Sequence, residues 1–204
     1  MNIYCDMDGV LVDFIDGALI KMNEALLEPP AHLREEVAQV VSELGRNHVV
    51  AADLAKYSPS NVKAASNLMY RLLEDDEEFW ANLPWMPGGK ELWAFISVHN
   101  PAILTSPMDK RGKKGSLRGK ERWIKDNLGL ANIRELIFEH KKYRHALSSE
   151  GEPNILIDDF MSKVGPWREH GGFGIHHTAD AVQTIGTLKE LLNDAPSTNS
   201  NYHF

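Results

Sequence analysis

Two pairs of aspartates are the first chemical signal in this chain. Asp6 and Asp8 stand where the apolar run "NIYCD" ends, with Gly9 directly behind them, and Asp158 and Asp159 close a second run, "NILIDD". Two further apolar runs also end in polar groups, "AILTS" in Thr105 and Ser106 and "ELIFEH" in Lys141 and Lys142. Taken singly, each ending has a structural explanation, a capped turn or a hydroxyl bonded to backbone. Taken together, they place carboxylates, hydroxyls and an ammonium where open parallel sheets bind ligands, beyond the carboxyl ends of the strands. Four carboxylates crowded into a partly buried crevice must take up protons or accept a cation. With oxygen ligands and neither a cysteine nor a histidine pair at hand, the cation that fits is Mg2+, which takes one or two carboxylates and leaves its other positions to water and phosphate. The metal, a lysine and a Thr hydroxyl can neutralise phosphoryl oxygens and leave a carboxylate free to attack phosphorus. Asp6 is placed as that nucleophile, forming an aspartyl-phosphate. Asp8, turned to the same side by Gly9, can protonate the leaving oxygen and later activate water.

Those groups meet only if their strands lie side by side. The runs at 2–6, 102–106 and 154–159 read as buried strands, with weaker ones at 135–140 and 173–177. Helical patterns separate them. Residues 88–99 align Leu92, Phe95, Ile96 and His99, and residues 180–193 align Val182, Ile185, Leu188, Leu191 and Leu192 behind an Asp180/Gln183 pair resembling a capping box. Short apolar strands alternating with amphipathic helices predict an α/β fold, a Rossmann-like parallel sheet flanked by helices. From 15 to 86 no strand is evident, only helices at 15–27, 31–45 and 60–74, the last started by Ser60. This interval is expected to form a small helical cap inserted after the first strand. The predicted organisation is therefore a catalytic core of 1–14 and 87–195, a cap of 15–86, and a flexible tail of 196–204.

Composition narrows the function classes. A net charge of −7 argues against a protein that coats a nucleic-acid polymer. The charge is unevenly spread: residues 15–86 hold twelve acidic side chains against six basic, and residues 108–125 hold eight basic against two acidic. The basic stretch reads either as a solvated helix face or as a field for a small anion. Its "GKKGSLRGKE" lacks the spacing of a phosphate-binding P-loop. Cys5 is the only cysteine, which excludes an intrachain disulfide and a cysteine-based zinc site. With no apolar stretch of membrane-spanning length and no targeting pattern before the first strand, a cytoplasmic protein is expected, with no membrane partner.

The segments "DMDGVLVDF", "ILTSP", "KK" and "ILIDD" resemble, in order, the four motifs of the haloacid dehalogenase superfamily. That resemblance implies a Rossmann-like core, Mg2+ and an aspartyl intermediate. The dehalogenase branch lacks a carboxylate at the position of Asp8, so Asp8 points to the phosphatase branch. A narrower likeness, carried also by "FWANLPWMPGGKELW", "GKERWIKDNLG" and "GPWREHGGFGIHH", is to the 5'(3')-deoxyribonucleotidases. It implies Asp6, Asp8, Thr105 and Lys142 as catalytic residues, with Lys142 favoured over Lys141. Ser106 and Lys120 would bind phosphate, Lys120 from a helix start, and Phe14, Phe79 and Trp80 would lie around base or sugar. Asp6, the Asp8 carbonyl, Asp158 and Asp159 would hold the metal. Read from the residues alone, Phe79, Trp80 and Trp85 favour packing between cap and core over stacking on a nucleobase. The implied partner is a small phosphomonoester, a nucleotide, with a homodimer left open. Sugar phosphates are the alternative substrates, and a catalytically silent nucleotide-binding module is the alternative class.

Overall fold

All five predicted strands join one parallel sheet. A computed structural model of the chain describes residues 1–54, 61–109 and 112–193. The strands β1 (Ile3–Cys5), β2 (Ala102–Thr105), β3 (Glu135–Phe138), β4 (Ile155–Asp158) and β5 (Phe173–His176) lie in the order β3-β2-β1-β4-β5. Cys5 pairs with Ile103 on one side and Ile157 on the other, and Thr105 pairs with Phe138. The carboxyl ends therefore line up along one edge. Central β1, β2 and β4 are buried throughout, whereas the outer β3 and β5 keep partly exposed positions. That is why the outer two read weakly in sequence: a strand with one open side does not need continuous apolar character.

Alternate residues of the central strands feed two cores, as the two-residue repeat of a strand requires. Ile3, Cys5, Ile103, Ile155 and Ile157 face the larger core; Tyr4, Ala102, Leu104 and Leu156 face a smaller one closed by Ala146 and Trp167. The Trp167 indole N–H donates to the Asn154 carbonyl at 3.1 Å, so its burial leaves no orphaned donor.

Between β1 and the core helix α6 (Gly89–Ile96) lie α1 (Phe14–Leu27), α2 (Arg34–Leu44), α3 (Ala51–Leu54), α4 (Lys63–Leu73) and α5 (Glu77–Ala81), with no strand among the described residues. A 3-10 turn, Ala31–Leu33, precedes α2, and Gly45 ends it at a φ of 64°. The helix start expected at Ser60 and the tail at 196–204 lie outside the described residues. The remaining helices are α7 (Gly115–Asn127), α8 (Met161–Glu169) and α9 (Ala181–Asn193). Asp180 caps α9 by accepting from Gln183 N at 2.9 Å. Two expected stripe positions are corrected. Val182 is exposed, because the buried line of α9 runs Ala181, Thr184, Leu188. His99 is also exposed, in a 3-10 turn that tightens the end of α6 and changes its repeat.

Along the basic stretch Lys113, Lys114, Arg118 and Lys125 are exposed, as a solvated face requires, and Lys120 alone of its described basic residues is buried. α5 seats on α7 at two glycines: a Cβ on Gly115 would collide with the Asp75 backbone, and one on Gly119 with Trp80 and the Glu77 carbonyl. Around that seat Lys113 pairs with Asp75 (3.2 Å), Arg118 with Glu77 (2.6 Å) and Arg122 with Glu78 (2.6 Å). Gly115 and Gly119 of the failed P-loop pattern thus serve helix packing. Lys110 and Arg111 lie outside the described residues.

Candidate active site

The loop after β1 is built tightly enough to fix two carboxylates. The Met7 carbonyl accepts from Leu11 N (2.9 Å) and Val12 N (3.0 Å), and Gly9 N donates back to the Val12 carbonyl (2.9 Å). Gly9 has a φ of 72°, a conformation glycine adopts without strain. Any Cβ there would run into the Asp159 carboxylate. Glycine is thus required for the first loop to close against the end of β4.

Asp6, the buried residue ending β1, accepts from Met7 N through Oδ1 (2.8 Å) and pairs with Lys142 Nζ through Oδ2 (2.8 Å). The same ammonium donates to Asp158 Oδ2 at 2.6 Å, and Asp158 Oδ1 accepts from Phe160 N at 2.9 Å. Lys142 opens a 3-10 turn after β3, which turns it inward to 1% exposure. Lys141 stays at the surface, its backbone N–H bonded to the Glu139 carboxylate. Burial disfavours the Lys142 charge, but Asp6 and Asp158 outweigh burial and raise its pKa.

A second lysine organises the other half. Lys120 Nζ donates to Asp8 Oδ2 (2.5 Å), Thr105 Oγ1 (2.9 Å) and the Ser106 carbonyl (2.9 Å), and is fully enclosed. It was expected at a helix start; it sits instead in the second turn of α7, because that helix begins at Gly115. Ser106 is partly exposed and its hydroxyl donates to the Glu139 carbonyl at 3.3 Å. Asp8 keeps a quarter of its side chain in solvent. Burial raises its pKa, with Asp6 adding to the shift and Lys120 opposing it.

Asp6, Asp158 and Asp159 each offer an oxygen within 4.8 Å of the others. Burial, then Asp6, push Asp158 to about 6 against the pull of Lys142, and burial with Asp6, Asp158 and Asp8 push Asp159 to about 8. Among the described residues, Asp159 Oδ1 and Asp8 Oδ1 are buried without a hydrogen-bond partner. Crowded hard oxygen donors, one of them orphaned, suit a divalent cation of the magnesium type. The Asp8 carboxylate stands apart from this trio, held by Lys120.

The aromatic residues pack on one another, as the residues alone favoured, and Trp80 departs from the substrate role that the resemblance implied. Phe14 stacks on Trp80 with centroids 5.2 Å apart and planes at 11°, and Phe79 meets Phe14 and Trp80 edge-on at 6.2 and 5.2 Å. Phe14 and Phe79 are half-buried, but Trp80 is 1% exposed and its N–H donates to the Leu73 carbonyl at 2.7 Å. Trp80 is therefore corrected from a substrate contact to an enclosed residue. Gly119 was missed altogether: it lets Trp80 approach α7, and its only sequence signal was the four-residue spacing from Gly115.

No family model matches the chain, and no curated protein matches it in sequence. Solved structures do. A HAD-superfamily hydrolase from Ehrlichia chaffeensis is 16% identical, with 94% of this chain and 97% of that one covered at a TM-score of 0.50. A hydrolase from Streptococcus pneumoniae is 14% identical over the same shares, TM-score 0.49. L-2-haloacid dehalogenase from Xanthobacter autotrophicus is 11% identical over 95% and 82%, TM-score 0.49. At such identities the likeness is one of fold, which in this chain is a five-stranded parallel sheet flanked by helices.

Proposed function

We propose that the chain is a Mg2+-dependent phosphomonoester hydrolase working through an aspartyl-phosphate on Asp6, with deoxyribonucleoside monophosphates as its substrate class. The observation that carries this reading is the pairing of two enclosed lysines with the strand-end carboxylates, Lys142 between Asp6 and Asp158 and Lys120 between Asp8 and Thr105. The haloacid-dehalogenase-type fold of the structural neighbours supports it.

In this mechanism the Asp6 carboxylate attacks phosphorus while the ester oxygen departs with a proton from Asp8. Asp8 then takes a proton from the water that attacks the aspartyl-phosphate, releasing phosphate and restoring Asp6. Lys142 bridges Asp6 and Asp158, offsets their mutual repulsion and so orients Asp6; Lys120 fixes Asp8 beside Thr105. Asp6, Asp158 and Asp159 would hold the cation, which would supply positive charge for the phosphoryl oxygens. α1 to α5 act as the cap, with Phe14 and Phe79 the half-buried rings left for a base or sugar. The enclosure of Trp80 removes one base-stacking candidate and favours sugar phosphates as the second reading.

Phosphate release from nucleotides and sugar phosphates, with Mg2+ and with chelator, tests both. Metal-dependent turnover of deoxyribonucleoside monophosphates is expected. Turnover of non-nucleotides alone would end the nucleotide reading, and no turnover of any phosphomonoester would end the enzymatic one.

A further inference from the structure

Trp80 belongs to α5, yet its ring lies against a group of the candidate site. Lys120 Nζ sits 4.8 Å from the indole centroid, in reach of the ring's negative face. All three N–H bonds of that ammonium are already directed, to Asp8, Thr105 and the Ser106 carbonyl. The ring excludes water from a charge that has no donor left for it. Trp80 is in turn fixed by its N–H bond to the Leu73 carbonyl, by the Phe14 stack and by the close approach that Gly119 permits. We infer that Trp80 is a positioning residue: it holds Lys120 against Asp8 and Thr105 and does not stack on substrate. The inference rests on the proposed proton-transfer role of Asp8. It ties the seating of α5 on α7 to the geometry of that carboxylate, because displacing the ring frees Lys120 to swing and Asp8 with it.

Amine acetylation read by mass spectrometry reports on Lys120 whether or not a substrate is known. In the native protein Lys120 and Lys142 are expected to be protected and Lys141 labelled. Trp80→Leu should raise Lys120 labelling by about 2- to 30-fold, the equivalent of a lost cation–π contact. Lys142 should stay protected, which marks the fold as intact. Trp80→Phe retains a ring face and should restore protection. Gly119→Ala drives a Cβ into Trp80 and the Glu77 carbonyl, displaces α5 with Trp80 unaltered, and should expose Lys120 in the same way, which keeps the test open where Trp80→Leu does not fold. In turnover, Trp80→Leu should lower kcat for a nucleotide and for p-nitrophenyl phosphate alike, with KM little changed. Protection of Lys120 in both Trp80→Leu and Gly119→Ala, or a rise in KM confined to nucleotides, overturns the inference. A native protein inactive on every phosphomonoester strikes the proposed function instead, while the labelling pattern still decides the role of Trp80.

Discussion

The strand-end site and the α5–α7 junction use the same kinds of side chain to opposite ends. At the site, Lys120 and Lys142 are 0% and 1% exposed and bond to Asp8, Asp6 and Asp158. At the junction, Arg118 and Glu77 are 55% and 35% exposed and Arg122 and Glu78 36% and 74%. Exposed pairs are screened and gain little, about 0–1 kcal/mol each. Enclosed charges are held in one arrangement because every departure leaves a charge without water or partner. The junction therefore owes its stability to the glycine seat and to buried Trp80 and Trp123, whereas the site spends stability to hold reactive groups in place.

That contrast can be broken from either side, and the site should give the larger effects. Asp6→Asn keeps the shape of the side chain but removes the proposed anionic nucleophile, so turnover should fall by on the order of 10³-fold or more while the melting temperature holds. Steady-state assays beside thermal unfolding check both. Lys142→Ala leaves Asp6 and Asp158 facing each other uncompensated and should cost about 3–5 kcal/mol in denaturant unfolding. A loss below about 1 kcal/mol would put this lysine in the same class as the junction pairs.

The acidic trio gives a pH-dependent effect of intermediate size. Asp158 and Asp159 have folded pKa values of about 6 and about 8, raised from 3.8. Groups raised in this way stabilise the metal-free fold fully below the unfolded value. That contribution is lost as pH rises through about 6 and then about 8. In chelator, the melting temperature should therefore fall between pH 5 and pH 8. If the ionised carboxylates hold Mg2+ as proposed, the ion should raise the melting temperature more at pH 8 than at pH 5. An equal gain at both pH values would mean that the trio does not hold the ion. Arg122→Ala at the junction should cost least, under about 1 kcal/mol, and the cost should shrink further in high salt.

Most of the sheet was legible because burial on both faces writes itself as continuous apolar runs: "IYC", "AILT" and "ILID" are strands β1, β2 and β4. The site's aspartates were legible because each ends such a run. What sequence left open depends on turns and on distant contacts. Whether Lys141 or Lys142 points inward is decided by one 3-10 turn, and adjacent identical residues carry no mark of it. Trp80 was ambiguous because an aromatic side chain suits a ligand or a core equally well. Its enclosure depends on Phe14, Leu73 and Gly119, all distant in sequence or on other helices. The basic stretch was legible only in part for a related reason: charge counted along the chain says nothing of the acidic α5 packed across from it.

The most direct test follows Asp8→Asn protein mixed with p-nitrophenyl phosphate and Mg2+, quenched in acid and mapped by peptide mass. p-Nitrophenolate departs without a proton, so the first half of the reaction survives the substitution while the water-activating carboxylate is gone. One phosphoryl group should accumulate on the peptide carrying Asp6. Release of p-nitrophenolate with no phosphoryl group on that peptide, or with one on another residue, would contradict the assignment of Asp6 as nucleophile.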